Sequence, residues 1–391
     1  MPKGREMTVD TIINEAIREL NISDEPDLYH LVRRWMRKNI KRETVSPIDT
    51  FNWPKGCLLV GLMHQAIKLS HANNSHDRAL SLVAMASVKD YVDAWIKKGS
   101  PTYFVDDCLA GQALLLLIKE YREYSKNDEN DIIKRDCAAM EKAAKKVMDF
   151  LSNHDRDAEG SLPYRPNQKT YQIVADGMGM AMPYMYMYGV LFNDDDAIQL
   201  GQDQLRAFMA HAIDKESGLP WHAYKINAMD ESFMGNENNT QNITTYGSIG
   251  WGRAVGWLMY GVQASIEAFE MVESGMLSFT ALVAIKELKA AKERLIQAVS
   301  KYRRESGLFG SQLPDKDSPI DTSATAMILY CCRDGLECNG NSNSVEHNCL
   351  KEYITDDGRV MQAQSECMGL GVYGEKYDSY PWSVGMALLL I

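Results

Sequence analysis

The chain has 391 residues, with 42 Lys and Arg against 53 Asp and Glu, a formal net charge of −11. A chain of this length buries about three quarters of its unfolded surface, so it needs no disulfide or metal staple to hold a core. The acidic balance excludes a general nucleic-acid or anionic-membrane binder, which needs a basic stripe; an acidic small substrate stays possible where it meets a local cation.

Apolar residues three and four apart predict helices, in chain order, over residues 10–20, 28–38, 58–69, 80–96, 111–124, 132–151, 197–213, 254–272 and 281–302. Few stretches alternate with period two, and the 22 methionines suit close helix packing better than a sheet. No Pro/Ser-rich linker or composition break divides the chain, which predicts one all-α domain over residues 1–391. No apolar leader follows Met1, and residues 178–192 are interrupted by Gly179, Pro183 and Gly189. Neither that segment nor the longest aliphatic run, residues 113–118, reaches the roughly 18 apolar residues of a membrane span. Eight cysteines without paired spacing read as reduced thiols. The expected compartment is the cytoplasm.

The connections repeat. Residues 157–164 (Asp-Ala-Glu-Gly-Ser-Leu-Pro-Tyr) are echoed at 216–221, at 305–309 and, more faintly, at 356–360, with glycines at 160, 218, 307 and 358. Glycine takes the positive φ that ends an outgoing helix. Turns recurring at about the length of a helical hairpin predict stacked helix pairs. Aromatic and polar residues follow the glycines, so the loops are expected to gather into a mouth at one end of a helical toroid.

No His-Glu-x-x-His or Cys-x-x-Cys occurs, and the eight histidines are scattered, so no metal is expected. No phosphate-binding Gly-rich loop is present, and no cofactor is expected. Three stretches carry candidate chemistry. Asp176 lies just before Pro183, a residue tolerated in a first helical turn, so the helix is expected to begin near Met180 with Asp176 on the loop ahead of it, as a helix cap or as an acid in apolar company. Asp106-Asp107 opens a helix between aromatic and apolar neighbours; one of the two is expected to cap it. Gly250-Trp251-Gly252-Arg253-Ala254-Val255-Gly256-Trp257 places two flat indoles and a guanidinium among three glycines. Trp251 and Trp257 could face a sugar ring, and Arg253 could clasp a carboxylate with its planar fork.

These residues resemble the unsaturated glucuronyl and rhamnogalacturonyl hydrolases, glycoside hydrolase families 88 and 105, more closely 105. The resemblance runs from Phe51-Asn52-Trp53-Pro54-Lys55-Gly56 to Tyr380-Pro381-Trp382-Ser383-Val384-Gly385. Its most specific pieces are residues 176–183, 217–224 and 250–257, with 321–326 and 366–371 also matching. It implies an (α/α)6 barrel. It also implies Asp176 as general acid/base, Asp106 (or Asp107, one residue on) as a second carboxylate, and His222, Trp251, Arg253 and Trp257 around the terminal sugar. The implied substrate is a short lyase-generated oligosaccharide ending in a 4,5-unsaturated uronic acid, with either rhamnose or an amino sugar next to it. Other readings are a different helical-toroid sugar enzyme, such as an inverting glycosidase or an epimerase, and a non-catalytic sugar-binding scaffold. The polar stretch 227–246 matches nothing in the family pattern.

Overall fold

The computed structural model describes residues 9–22, 51–127, 131–164, 172–226, 243–333 and 349–391, with single residues between 32 and 40. Most of the predicted helix over 28–38 and most of the polar stretch 227–246 lie outside the described residues. Twelve α-helices are described. They are α1 (Val9–Leu20), α2 (Trp53–Ser70), α3 (Ser75–Lys97), α4 (Cys108–Asn127), α5 (Asp131–Ser152), α6 (Ala175–Met180), α7 (Met182–Phe192), α8 (Asp195–His211), α9 (Gly252–Ala268), α10 (Phe279–Val299), α11 (Thr322–Cys332) and α12 (Pro381–Ala387).

Six helical segments close a ring. α2 packs on α4, α4 on α7, the α6–α7 pair on α9, α9 on α11, α11 on α12, and α12 back on α2. Their sequences explain the position: α7 is buried over residues 182–191, and all eleven residues of α11 are buried. A helix apolar on every side has no face to give to water. Outside the ring, α3 packs on α2, α5 on α4, α8 on α7 and α10 on both α8 and α9, while α1 lies against α2 and α12. These outer helices bury one stripe only; α5, for instance, buries Cys137, Met140, Ala144, Val147, Met148 and Leu151. This is the (α/α)6 toroid.

The recurring loops share one geometry. Gly160, Gly218, Gly307 and Gly358 all have positive φ, between 75° and 88°. In three of them the glycine N–H donates to the carbonyl three residues back, at Asp157, Arg304 and Thr355, and the Gly218 N–H reaches Asp214, four residues back. Two small sheets complete the loop layer. β1 (Ile173–Val174), β2 (Ala223–Ile226) and β3 (Ile243–Tyr246) pair antiparallel in that order, with Val174 opposite Ala223 and Ala223 opposite Tyr246. β4 (Ala363–Gln364) pairs with β5 (Tyr377–Asp378).

α6 approaches α9 at backbone distance. A Cβ on Gly261 would sit 2.1 Å from the Met178 carbonyl oxygen, and one on Gly179 would sit 2.6 Å from the Trp257 ring. In an open helix Gly→Ala gains about 1 kcal/mol of propensity. Here backbone blocks the new methyl, and overpacking of this kind costs about 1–3 kcal/mol. Gly261→Ala is therefore expected to lower stability by about 1–3 kcal/mol in urea denaturation and, by displacing α6, to lower turnover with it. A variant as stable as the parent would show that the helices can separate without strain.

Candidate active site

The ladder β1–β2 brings the two most informative residues together. The Ala175 N–H donates to the His222 carbonyl at 2.9 Å, so α6 starts directly against the residue preceding β2. Asp176 therefore stands in the first turn of α6, not on a loop, and Pro183 opens the separate helix α7. Helix starts so close together follow from strand pairing, which the local pattern did not disclose. His222 Nε2 lies 3.1 Å from Asp176 Oδ2, with side chains 4 % and 17 % exposed. No side-chain cap is made at the start of α6, which removes the capping role for Asp176.

The aspartate doublet divides its work. The Asp107 carboxylate accepts the Tyr103 N–H at 2.7 Å and the Phe104 N–H at 3.2 Å, closing the turn ahead of α4. Asp106 accepts the Tyr164 hydroxyl at 3.0 Å and is less deeply buried. This turn packs against α6: a Cβ on Gly177 would lie 3.6 Å from Val105. Burial, then the neighbouring Asp106 charge, pushes the Asp107 carboxyl well above the ordinary range, and the two amides pull back only in part. A carboxyl raised on folding stabilises the fold while protonated, and that contribution is lost as pH rises through its folded-state value. Asp107→Asn keeps an acceptor for both amides and never ionises. Its melting temperature relative to the parent is thus expected to climb from acid towards neutral pH; a constant difference would contradict the charge assignment.

The Trp-Gly-Arg segment is built differently from its sequence expectation. Trp257 is 1 % exposed and packs on Gly179, Tyr260 and Trp53, so it is core, not a sugar face. Trp251 is also buried, its ring stacked on Tyr373 at 4.5 Å and tilted against His222 at 4.4 Å. Arg253 is 2 % exposed; its guanidinium donates to the Gln364 and Ser365 carbonyls and lies near the rings of Trp251 (5.0 Å) and Trp382 (5.6 Å). The open carboxylate fork expected from sequence is instead largely spent on the backbone of Gln364 and Ser365, because the 363–378 hairpin folds over it. Asp321, in a matching motif, caps α11 through the Ser323 and Ala324 N–H groups.

Residues without an assigned role in the sequence reading complete the wall. Tyr373 covers Trp251, and its hydroxyl accepts the Ser248 N–H at 2.8 Å. Trp382 lies between Trp53 (4.7 Å) and Tyr380 (4.5 Å). The Tyr373 ring lies 5.6 Å from that of His222, which places the hairpin beside the pair, and burial there pushes the Cys367 thiol up to about 11. Trp53 and Trp382 fall inside the stretches that carry the resemblance; Tyr373 lies two residues past another. Among the described residues no cluster of three metal-ligating side chains forms, and no helix is long and apolar enough to cross a membrane.

A ring of six inner helical segments with a carboxylate–imidazole pair and aromatic walls in its loop layer is the build of a helical-toroid glycoside hydrolase. The Glycosyl Hydrolase Family 88 profile matches residues 29–391, and the chain belongs to that family. An unsaturated rhamnogalacturonyl hydrolase, YesR of Bacillus subtilis, is 22 % identical over 385 residues, covering 95 % of each chain. Among solved structures, a possible member of the GH105 family from Salmonella enterica serovar Paratyphi A superposes with a TM-score of 0.70 at 18 % identity, covering 100 % of this chain and 96 % of its own. An unsaturated glucuronyl hydrolase responsible for glycosaminoglycan degradation, from Bacillus sp. GL1, gives 0.54 at 13 % identity, covering 96 % and 95 %.

Proposed function

We propose that this glycoside hydrolase releases the terminal 4,5-unsaturated uronic acid from short lyase-generated oligosaccharides, with Asp176 as the general acid and then the general base. The observation that carries the reading is the shielded Asp176–His222 pair in the toroid mouth of a family 88 chain. The C4=C5 bond of such a sugar is a vinyl ether. Protonated Asp176 delivers its proton to C4, leaving oxocarbenium-like charge shared by C5 and the ring oxygen. A water molecule bonds to C5 as its proton passes to the Asp176 carboxylate. The resulting hemiketal opens to a C5 ketone, and the hemiacetal left at C1 expels the neighbouring sugar. This differs from hydrolysis by two carboxylates acting across the glycosidic bond; one group serves as acid and base in turn. His222 orients the Asp176 carboxyl, and Asp106 is the second carboxylate facing the site. Trp251 and Arg253 support the wall rather than grip the sugar directly.

The relative named as a rhamnogalacturonyl hydrolase supports rhamnose as the next sugar. The substrate is a small oligosaccharide, not a nucleic acid; eight cysteines without paired spacing support action in the cytoplasm, and the absence of a linker supports one catalytic domain. The test is a panel of lyase-generated disaccharides differing in that next sugar, followed by the ultraviolet absorbance of the conjugated enol acid. Loss of absorbance with release of the neighbour is expected, fastest with rhamnose; no loss on any member would overturn the reading.

A further inference from the structure

One buried amide sits behind both aromatic rings that touch His222. Gln364, at the end of β4, is 5 % exposed. Its Oε1 accepts the Trp251 indole N–H at 2.8 Å, and its Nε2 donates to the Gly374 carbonyl at 2.8 Å. Its own carbonyl accepts from the Arg253 guanidinium and, at 3.2 Å, from the Trp382 indole. The side-chain contacts admit one orientation only: turning the amide over would set its NH2 against an indole N–H and its oxygen against a carbonyl. The oxygen thus fixes the Trp251 ring in its own plane, while the nitrogen fixes the backbone next to Tyr373. Those are the rings on which His222 rests, at 4.4 Å and 5.6 Å, and His222 is the partner of Asp176.

We propose that Gln364 is a positioning residue of the hydrolase, setting through Trp251 and the Tyr373 segment the angle at which His222 meets Asp176. The proposal rests on the reading of Asp176 and His222 as the working pair. A purely architectural role would show only in stability; a positioning role shows in turnover by the folded enzyme, because a displacement of about 1 Å costs up to about 100-fold in rate.

The test measures kcat and KM on one unsaturated disaccharide, well below the melting temperature, for Gln364→Leu, Gln364→Glu, Trp251→Phe and the two doubles with Trp251→Phe. Gln364→Leu is expected to lower kcat about 10- to 100-fold, and more than it raises KM. Gln364→Glu keeps an acceptor for the indole N–H but can donate to the Gly374 carbonyl only when protonated, and is expected to recover part of that loss through the indole contact. Trp251→Phe removes the N–H through which the amide acts, so each double should lose less than the product of its single losses. Should Gln364→Leu fail to fold, Gln364→Glu, which preserves volume, is read in the same cycle. Unchanged kcat in a folded Gln364 variant, or strictly multiplicative losses, overturns the proposal. A fully active Asp176→Asn enzyme would instead overturn the functional reading, so the two failures are distinguishable.

Discussion

Asp176→Asn is expected to lower kcat by about two to four orders of magnitude, the usual contribution of a positioned acid or base, while KM stays close to the parent value. The amide keeps the shape and can still meet His222 Nε2, now 3.1 Å from Oδ2. It can neither give a proton to C4 nor take one from water. Asp106→Asn is the control: Asp106 already accepts the Tyr164 hydroxyl, and an amide oxygen can do the same. A slowed but working Asp106→Asn beside a dead Asp176→Asn assigns the acid/base role. The opposite order would move that role to the 105–107 turn.

Arg253→Lys is expected to act first on stability. The guanidinium donates to the Gln364 and Ser365 carbonyls and lies beside two indoles with almost no solvent contact. A lysine keeps the charge but loses the planar fork, so it cannot meet both carbonyls in the same geometry. A lost hydrogen bond from a charged group costs about 1.5–3 kcal/mol, and urea denaturation should show a fall of that order. Loosening of the 363–378 hairpin should then raise KM and lower kcat together. A residue that only clasped the substrate carboxylate would give the other pattern, with KM raised and stability unchanged. That pattern would show that the buried contacts are incidental.

The fold was legible because a toroid repeats itself locally. Helical spacing marked nine segments, and the positive-φ glycines at 160, 218, 307 and 358 marked the returns between them. The short inner helices were harder to read. α7 and α11 are buried on every side, so they show no amphipathic stripe from which to read a period. In the site, Asp176 and His222 were visible as residues, but the start of α6 depends on pairing between strands about fifty residues apart. The Asp106-Asp107 doublet became distinguishable only once the amides that hold Asp107 were in place. Trp257 illustrates a limit of composition: two indoles and an arginine among glycines suggest a sugar platform, yet Gly179 is a glycine because the Trp257 ring lies against it. Gln364 was illegible for a simpler reason: its partner Trp251 is 113 positions away.

The most direct test of the mechanism is turnover of one unsaturated disaccharide in deuterium oxide, with the released uronate examined by nuclear magnetic resonance. Protonation by Asp176 at C4 requires the product to carry a new carbon-bound deuterium there, with the double bond gone and the neighbouring sugar free in equal amount. Release of the neighbour with the C4=C5 bond intact and no deuterium at C4 would mean ordinary glycosidic cleavage, and would contradict hydration by Asp176.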